Sequence, residues 1–239
     1  MENEAYLAMA QQEEKHWWYV GRRRILKSII KSKILVPSNA TLLEVGCGTG
    51  GNLDMLSTFG KVDAIELNEM ARKIAQSRSN INVESGALPD NMPTVNKKYD
   101  LIAFFDVLEH IERDADSLKK LSELLSNDGR LIITVPALPF LWSPHDEIHH
   151  HKRRYSKSGI IETVIKSGLR IEFISYYNFF LLPLAIIQRL FSRLKKSSDA
   201  ASFSPILNSI FLSIFSVESH LIRLMPLPIG LSICIICKK

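Results

Sequence analysis

The fold of this chain is decided by one segment, Thr41-Leu42-Leu43-Glu44-Val45-Gly46-Cys47-Gly48-Thr49-Gly50. Its first half is typical of a short buried strand, and its second half is a glycine-rich turn from which a helix starts at about Gly51. Three glycines at alternate positions allow a sharp turn, and they let the backbone approach a ligand that any Cβ would push away. The segment therefore predicts a strand–loop–helix unit built around a bound molecule.

A carboxylate follows the next apolar run, Val62-Asp63-Ala64-Ile65-Glu66, twenty positions after Gly46. At the tip of a second strand, Glu66 is placed to accept two hydrogen bonds from the diol of a ribose. The loop and Glu66 together predict a cofactor that contains a nucleoside.

The spacing of the glycines separates two kinds of cofactor. A dinucleotide fingerprint has the form G-x-G-x-x-G, whereas this loop has the form G-x-G-x-G and carries Glu44 inside the preceding strand. In this respect the segment resembles the first motif of class I S-adenosylmethionine-dependent methyltransferases, E-x-G-x-G-x-G. The resemblance implies S-adenosylmethionine as the cofactor and the following contact residues: Glu44, Gly46, Cys47, Gly48, Gly50, Asn52, Glu66, Leu67, Ala87, Leu88, Asp106 and Val107.

The adenine contact departs from the family pattern. Relatives often carry an acidic residue just before the position of Ala87, and this chain has Gly86 there. Adenine recognition would then rest on the main-chain groups of Ala87 and Leu88.

The order of apolar runs predicts an α/β fold with a doubly wound, mostly parallel, seven-stranded sheet. Strands are expected near 41–45, 61–66, 81–84, 99–104, 130–135, 170–176 and 231–237, and helices near 51–59, 68–78, 114–126 and 156–167. Asn127-Asp128-Gly129 is expected to end the helix over 114–126 and to form a turn. Residues 1–36 are expected to form an N-terminal helical lid, and residues 37–239 the main domain.

An unusual segment of some fifty residues, 179–229, separates the last two expected strands. Its apolar runs are too short or too interrupted to be typical membrane spans, and they predict two or three helices with broad apolar faces. Such an insert indicates either contact with a lipid or membrane surface, or an interface with a second subunit.

Composition sets wide limits. The chain has 239 residues, 46% hydrophobic and 23% charged, with a net charge of +5 and a pI of about 9.1. A mildly basic surface suits a phosphorylated substrate or an anionic membrane. Nucleic acid is not expected as a partner, because no nucleic-acid-binding motif is evident.

The three cysteines give no sign of a disulfide framework. Cys234 and Cys237 lie three positions apart in an expected strand, and strand alternation puts them on opposite faces. With a polar N-terminus that does not resemble a signal peptide, the expected location is cytoplasmic, with peripheral contact at the inner face of a membrane left open.

A second motif, Asp106-Val107-Leu108-Glu109-His110, follows the fourth expected strand, where ligands bind in open parallel sheets. It resembles the small-molecule branch of the methyltransferases, especially the ubiquinone-biosynthesis O-methyltransferases, and also the RNA 3′-end methyltransferases. That resemblance implies a divalent metal held by Asp106, Glu109 and His110. The alternative is that these residues only position the substrate, or that His110 or Glu109 acts in catalysis as an acid or base.

The loop beyond the fifth strand carries several histidines and arginines. His151-Lys152-Arg153-Arg154-Tyr155-Ser156 matches a family element of the form H-x-R-[RH]-[FY]-[ST]. It adds His151 as a third catalytic candidate. The expected substrate contacts from this region are His145, His149, Arg153, Arg154 and Tyr155.

The N-terminal cluster Trp17-Trp18-Tyr19, with Arg22, supplies further expected substrate contacts. Relatives often use N-terminal helices as a lid that excludes water from the reaction. Plain packing of these aromatic residues against the sheet explains the same pattern.

The motifs together predict a methyltransferase acting on a small-molecule acceptor, with a lipid-, quinone- or polyprenyl-linked acceptor suggested by the insert. Two alternatives stay open at this point. A non-catalytic protein of the same fold would also keep the glycine loop, and a nucleotide-binding dehydrogenase would need its third glycine one position later.

Overall fold

The computed structural model describes residues 3–93, 97–192 and 204–239. The helices are α1 (Asn3–Gln12), α2 (Trp17–Lys33), α3 (Leu53–Ser57), α4 (Glu69–Arg78), α5 (Asp114–Leu124), α6 (Pro144–Ile148), α7 (Lys157–Lys166), α8 (Leu182–Ser192) and α9 (Pro205–Leu224). The strands are β1 (Thr41–Val45), β2 (Lys61–Ile65), β3 (Val83–Glu84), β4 (Tyr99–Phe105), β5 (Leu125–Pro136), β6 (Arg170–Tyr177) and β7 (Ser232–Lys238).

The seven strands form one sheet in the order β3-β2-β1-β4-β5-β7-β6. All neighbours are parallel except β7, which runs antiparallel to both β5 and β6. The predicted fold class is confirmed, including N-terminal helices and a helical insert between the last two strands. The carboxyl ends of β1, β2, β4, β5 and β6 therefore lie at one edge, where ligands bind in such sheets.

Each face of the sheet carries its own apolar core. Ile25, Leu26 and Ile29 of α2 belong to the core on one face, and Leu118 and Leu121 of α5 belong to the core on the other. As expected from strand alternation, Cys234 and Cys237 fall in different cores, and both are free thiols.

The turn expected at residues 127–129 differs from the structure. Helix α5 ends at Leu124, and Leu125 already pairs with Tyr99, while the next pair in the ladder joins Leu101 to Arg130. The intervening residues form a bulge in β5. A Cβ on Gly129 would lie 2.6 Å from the carbonyl oxygen of Tyr99, so the glycine there allows a close approach of two backbones.

The insert docks through one face of α9 against α2. The ring of Phe215 is fully buried and fills the space left by Gly21, where a Cβ would lie 2.5 Å from Cδ1 of Phe215. Trp17 meets the same ring edge-on at 5.6 Å, and Tyr177 stacks on it at 6.5 Å. Residues 193–203 of the expected insert lie outside the described residues.

A buried carboxylate fastens α9 to the end of β6. Glu218 accepts hydrogen bonds from the amides of Asn178, Phe179 and Phe180 at 2.6, 2.8 and 3.1 Å. Burial raises the pKa of Glu218, and the three amides oppose that rise.

Replacing Phe215 tests whether the insert is part of the main domain. We expect Phe215→Ala to lower the free energy of unfolding by about 3–5 kcal/mol, because it leaves a cavity between α2 and α9. Ile206→Ala on the exposed side of the same helix is the control, with an expected change within about 0.5 kcal/mol. Urea unfolding of the two variants measures the difference, and equal midpoints would show that the insert does not stabilise the domain.

Candidate functional site

The glycine loop after β1 turns through conformations that favour glycine. Gly46, Gly48 and Gly50 have φ angles of +73°, +56° and +86°. A Cβ on Gly46 would lie 2.5 Å from Cγ2 of Val107, so the loop packs directly on the segment that follows β4. The two predicted motifs are therefore in contact at the carboxyl edge of the sheet.

Glu66 holds this loop to the end of β2. One carboxylate oxygen accepts a hydrogen bond from the amide of Gly48 at 2.8 Å, and the other accepts one from the amide of Asn68 at 2.8 Å. Each oxygen keeps a further lone pair, so the predicted contact with a ribose diol is compatible with both bonds.

Glu44 and Asn52 lie beneath the loop. The side-chain amide of Asn52 donates to Oε1 of Glu44 at 2.8 Å, and burial raises the pKa of Glu44 to about 8. Oε2 of Glu44 is buried and has no hydrogen-bond partner among the described residues. Buried polar atoms normally have a partner, so this oxygen fits a site whose partner is a bound ligand.

The N-terminal segment covers the glycine loop. A Cβ on Gly48 would lie 3.0 Å from Cε of Met9, and Glu13 accepts a hydrogen bond from the hydroxyl of Thr49 at 2.7 Å. Glu13 also pairs with Arg78 at 2.6 Å. These contacts place the end of α1 and the residue after it over the loop, where a lid would lie.

The expected main-chain contacts to adenine need correction at Ala87. Its amide donates to the carbonyl of Asn91, and its carbonyl accepts from the amide of Asn91, both at 2.9 Å. Both groups are thus used in a local turn. The amide of Leu88 stays as the main-chain candidate, and Leu67 at the end of β2 exposes 65% of its surface beside Glu66.

The second motif forms a short 3₁₀ turn, Leu108–His110, directly after the carboxyl end of β4. Glu109 is fully buried, and burial raises its pKa well above the usual range. Burial is also the main reason why the pKa of His110 falls to about 4. The imidazole of His110 is therefore uncharged at neutral pH, and burial favours the protonated form of Glu109.

The three predicted catalytic side chains meet. Oε1 of Glu109 lies 4.0 Å from Nε2 of His151, and the rings of His110 and His151 meet edge-on with centroids 4.8 Å apart. The closest nitrogen or oxygen atoms of these three side chains all lie within 4.8 Å of one another. We call Glu109, His110 and His151 the Glu–His cluster.

Asp106 does not join this cluster as the resemblance implied. Its carboxylate pairs with the guanidinium of Arg22 at 2.5 Å and accepts a hydrogen bond from the hydroxyl of Thr134 at 3.1 Å. The cation thus competes with any metal ion for this carboxylate. The expected set of Asp106, Glu109 and His110 is not assembled, and Arg22, expected to bind substrate, is buried against Asp106.

A buried carboxylate that the sequence did not single out orders the histidine loop. Asp146 accepts hydrogen bonds from the amide and hydroxyl of Ser143 at 2.9 and 3.1 Å, pairs with Arg154 at 2.8 Å and contacts Nδ1 of His151 at 2.9 Å. The spacing Ser-x-x-Asp is that of a capping box, which is the signal that could have identified Asp146.

Other expected substrate residues are engaged by carboxylates around the cluster. Arg153 pairs with Asp114 at 3.0 Å, and the hydroxyl of Tyr155 donates to the same carboxylate at 2.9 Å. Arg154 is buried and held by Asp146. These three side chains order the loop, and their hydrogen-bonding groups are already used there.

The remaining expected contacts divide into two groups. Trp17 turns toward the insert, where it packs against Phe211 and Phe215. Trp18 lies under the guanidinium of Arg22 at 5.2 Å and meets Tyr19 edge-on at 4.9 Å, so Trp18 packs on the residue that pairs with Asp106. His149 is half-buried with its ring 6.0 Å from that of His151, and the side chain of His145 lies outside the described residues.

Comparison with known proteins gives a family match over most of the chain. A family model described as a methyltransferase domain matches residues 19–177. The mitochondrial ubiquinone biosynthesis O-methyltransferase of Schizosaccharomyces pombe is 28% identical over 107 residues, which are 41% of this chain and 38% of that enzyme. The match thus spans well under half the length of this curated relative.

Solved structures share the fold. A complex of the Haloferax volcanii Trm112 methyltransferase activator with a methyltransferase gives a TM-score of 0.65 at 13% identity, covering 98% of this chain and 94% of that one. An S-adenosylmethionine-dependent methyltransferase from Mesorhizobium loti gives 0.59 at 14% identity, covering 88% and 95%. Magnesium protoporphyrin IX methyltransferase from Synechocystis with bound S-adenosylhomocysteine gives 0.52 at 16% identity, covering 66% and 77%.

Replacing Asp106 and replacing Arg22 should lower the free energy of unfolding by different amounts. Asp106→Asn leaves a fully buried guanidinium without its counter-charge, and we expect a loss of about 3–5 kcal/mol in the free energy of unfolding. Arg22→Met should cost less, because the side chain of Asp106 is less buried, at 23% exposed, and keeps its hydrogen bond from Thr134.

Urea unfolding of both variants, of the double variant and of Arg24→Met measures this coupling. Arg24 is exposed on the same helix, so its replacement should change stability by no more than about 0.5 kcal/mol. The double variant should lose less than the sum of the single losses. Strict additivity would show that the two charges do not interact.

Proposed function

Since this chain belongs to the class I S-adenosylmethionine-dependent methyltransferases, we propose that it transfers a methyl group from S-adenosylmethionine to a hydroxyl group of a small-molecule acceptor. The observation that carries the proposal is the contact between the two motifs: the loop held by Glu66 packs through Gly46 on Val107, two residues from Glu109. A ligand on this loop would therefore lie beside the Glu–His cluster.

Each part of the site has its own role in this reaction. The loop from Gly46 to Gly50 would hold the methionine part of the cofactor, Glu66 the ribose, and the amide of Leu88 the adenine. When bound, S-adenosylmethionine supplies an electrophilic methyl group on a sulfonium. Transfer to a hydroxyl then needs in-line alignment and removal of one proton, and the Glu–His cluster provides groups that can accept or donate hydrogen bonds.

Cofactor binding tests this function directly. We expect micromolar binding of S-adenosylmethionine and no binding of NAD, measured by titration calorimetry. Gly48→Val should abolish binding, because the side chain would enter the cradle and strain a φ of +56°. Glu66→Ala should also abolish it, since both the ribose contact and the hold on the loop are lost.

The matched control is Gly168→Val. Gly168 has a φ of +84° in a turn between α7 and β6, and a Cβ added there would meet no heavy atom within 4 Å. The substitution therefore repeats the backbone strain away from the cradle, and binding should survive it. A wild-type protein that does not bind S-adenosylmethionine would refute the proposed function.

We further propose that the acceptor is lipid-linked, of the quinone or polyprenyl type, and that segment 179–229 contacts a membrane surface. This proposal is supported by the position at which the insert leaves the sheet. Strand β6 runs parallel to β5, so its carboxyl end at Tyr177 lies at the same edge as the ends of β1 and β4. The insert therefore begins beside the site.

Helix α9 exposes a row of apolar side chains in addition to those that it buries. Phe215, Glu218 and Ile222 face the protein, whereas a second row of aliphatic side chains, spaced by three, four or seven positions, stays exposed. We call this row the α9 stripe; its members are Ile206, Ile210, Ile214, Val217 and Leu224. Within the described ranges, α9 is also the helix with the length and composition of a membrane span, a test that core helices of soluble proteins can pass as well.

Charge favours an anionic lipid surface as the partner of the α9 stripe. The net charge is +5, and α2, which packs against α9, carries six cationic and no acidic side chains over Trp17–Lys33. Arg24 and Lys31 on this helix are exposed. Basic side chains near an apolar helix face strengthen binding to anionic membranes.

We also propose a cytoplasmic location, with the α9 stripe at the inner face of a membrane. Cys47, Cys234 and Cys237 are buried and free, as suits a reducing compartment. A homodimer built on the α9 stripe is the alternative to membrane contact.

Flotation with vesicles of phosphatidylcholine and phosphatidylglycerol tests the membrane proposal. We expect the wild-type protein to float at low salt and Ile210→Asp to stay in solution, because a carboxylate cannot enter the apolar layer. Ser209→Asp adds the same charge to the neighbouring polar arc of α9 and should still float.

Sedimentation of the same variants distinguishes membrane contact from the alternative, a homodimer built on the α9 stripe. A wild-type protein that does not float but sediments as a dimer, together with an Ile210→Asp variant that sediments as a monomer, would assign the α9 stripe to a subunit interface. Loss of flotation in both aspartate variants alike would point to simple charge repulsion and would contradict a specific role of the stripe.

A further inference from the structure

We propose that Nε2 of His151 accepts the proton of the acceptor hydroxyl, and that Asp146 is the positioning residue that makes this nitrogen available. The inference rests on the proposed function, since it names the proton acceptor of that reaction. In the step, the hydroxyl oxygen forms a bond to the methyl carbon and the carbon–sulfur bond breaks. The sulfur keeps the bonding pair, and the hydroxyl proton moves to Nε2.

The carboxylate of Asp146 is fixed as an anion. It is fully buried, yet it pairs with Arg154 at 2.8 Å and accepts two hydrogen bonds from Ser143. Arg154 is itself anchored, because its guanidinium also donates to the carbonyl of Ala137 at 3.1 Å. A buried carboxylate with a cation and several donors keeps its charge and its orientation.

This anion sets the tautomer of His151. Nδ1 lies 2.9 Å from Oδ1 of Asp146, and a carboxylate can only accept, so Nδ1 carries the proton. Nε2 of the neutral ring is then left with its lone pair. The amide of His151 also donates to the carbonyl of Asp146 at 2.9 Å, which ties the backbone of the two residues together.

Nε2 points into the Glu–His cluster. It lies 4.0 Å from Oε1 of Glu109, and the ring of His151 packs edge-on against that of His110. At 4.0 Å these two atoms are beyond hydrogen-bond distance, so Glu109 leaves the lone pair of Nε2 open to a donor from the acceptor. A hydroxyl placed here can donate to the lone pair of Nε2 while its oxygen lies beside the carboxyl of Glu109.

The other histidines are weaker choices. Burial lowers the pKa of His110 to about 4, which makes its ring a poor proton acceptor at neutral pH. Burial also lowers the pKa of His149. Among the described histidine contacts, the hydrogen bond to a buried carboxylate occurs at His151. An Nδ1 proton held by a carboxylate fixes the orientation of the imidazole and leaves Nε2 as the accepting atom.

The test is the tautomer of His151 in the full chain, read from the nitrogen resonances of ¹⁵N-histidine-labelled protein at neutral pH. The resonance is assigned with His151→Gln. We expect Nδ1 protonated and Nε2 unprotonated in the wild-type protein, and a loss of this pattern in Asp146→Asn. Glu147→Gln removes the neighbouring, exposed carboxylate of the same short helix and should leave the pattern unchanged.

Several results would overturn the proposal. A wild-type His151 with its proton on Nε2 would do so without any variant, so the test survives if Asp146→Asn fails to fold. Zinc or magnesium chloride added to the protein alone should leave His110 and His151 unshifted; a joint shift at micromolar metal would make Nε2 a ligand instead.

Turnover of catechol, used as the hydroxyl probe, gives a second readout. His151→Gln should lower kcat about 10²–10⁴-fold with little change in KM, and an undiminished kcat would refute the role. Calorimetry separates this outcome from failure of the proposed function. The variant should still bind S-adenosylmethionine, whereas a protein that never bound it would fail at the earlier step.

Discussion

The ion pair between Arg22 and Asp106 is the contact on which the arrangement of the site depends. It joins helix α2 to the carboxyl end of β4, and the hydroxyl of Thr134 in β5 donates a hydrogen bond to the same carboxylate. Asp106 has a φ of +54°, a conformation that costs energy outside glycine and that the surrounding contacts must hold. By committing the first acidic residue of the second motif to α2, this pair makes the N-terminal helix part of the site.

As a result, the acidic side chains of the site do not share one counter-charge. Asp106 has Arg22 as its counter-charge, and Asp146 has Arg154. Glu109 is buried 4.0 Å from His151, and burial is the main cause of its raised pKa. Two carboxylates are thus paired with their own arginines, and burial favours the uncharged form of the third carboxyl. The centre of the site is polar yet carries little net charge, which suits a reaction that disperses the charge of a sulfonium.

The sequence predicted what is encoded locally. The glycine loop, Glu66 and the order of strands depend on short segments with a strong pattern, and the structure has them where expected. It did not predict pairings between distant segments, such as Arg22 with Asp106, because residue type alone does not say which partner a charge will find. The two bonds between Ala87 and Asn91 were missed for a related reason, since several local turns fit the same residues.

The insert follows from the topology of the last two strands. Strands β6 and β7 are antiparallel neighbours, and Tyr177 pairs with Ser232, so a segment between them leaves and re-enters the sheet at one point. The family match ends at residue 177, where this segment begins. An insertion there leaves every strand pairing intact, and Glu218 needs only the three amides after β6 to fasten it. The insertion point is separate from the loop after β1, so the insert leaves the contact of Gly46 with Val107 and the hold of Glu66 on Gly48 in place.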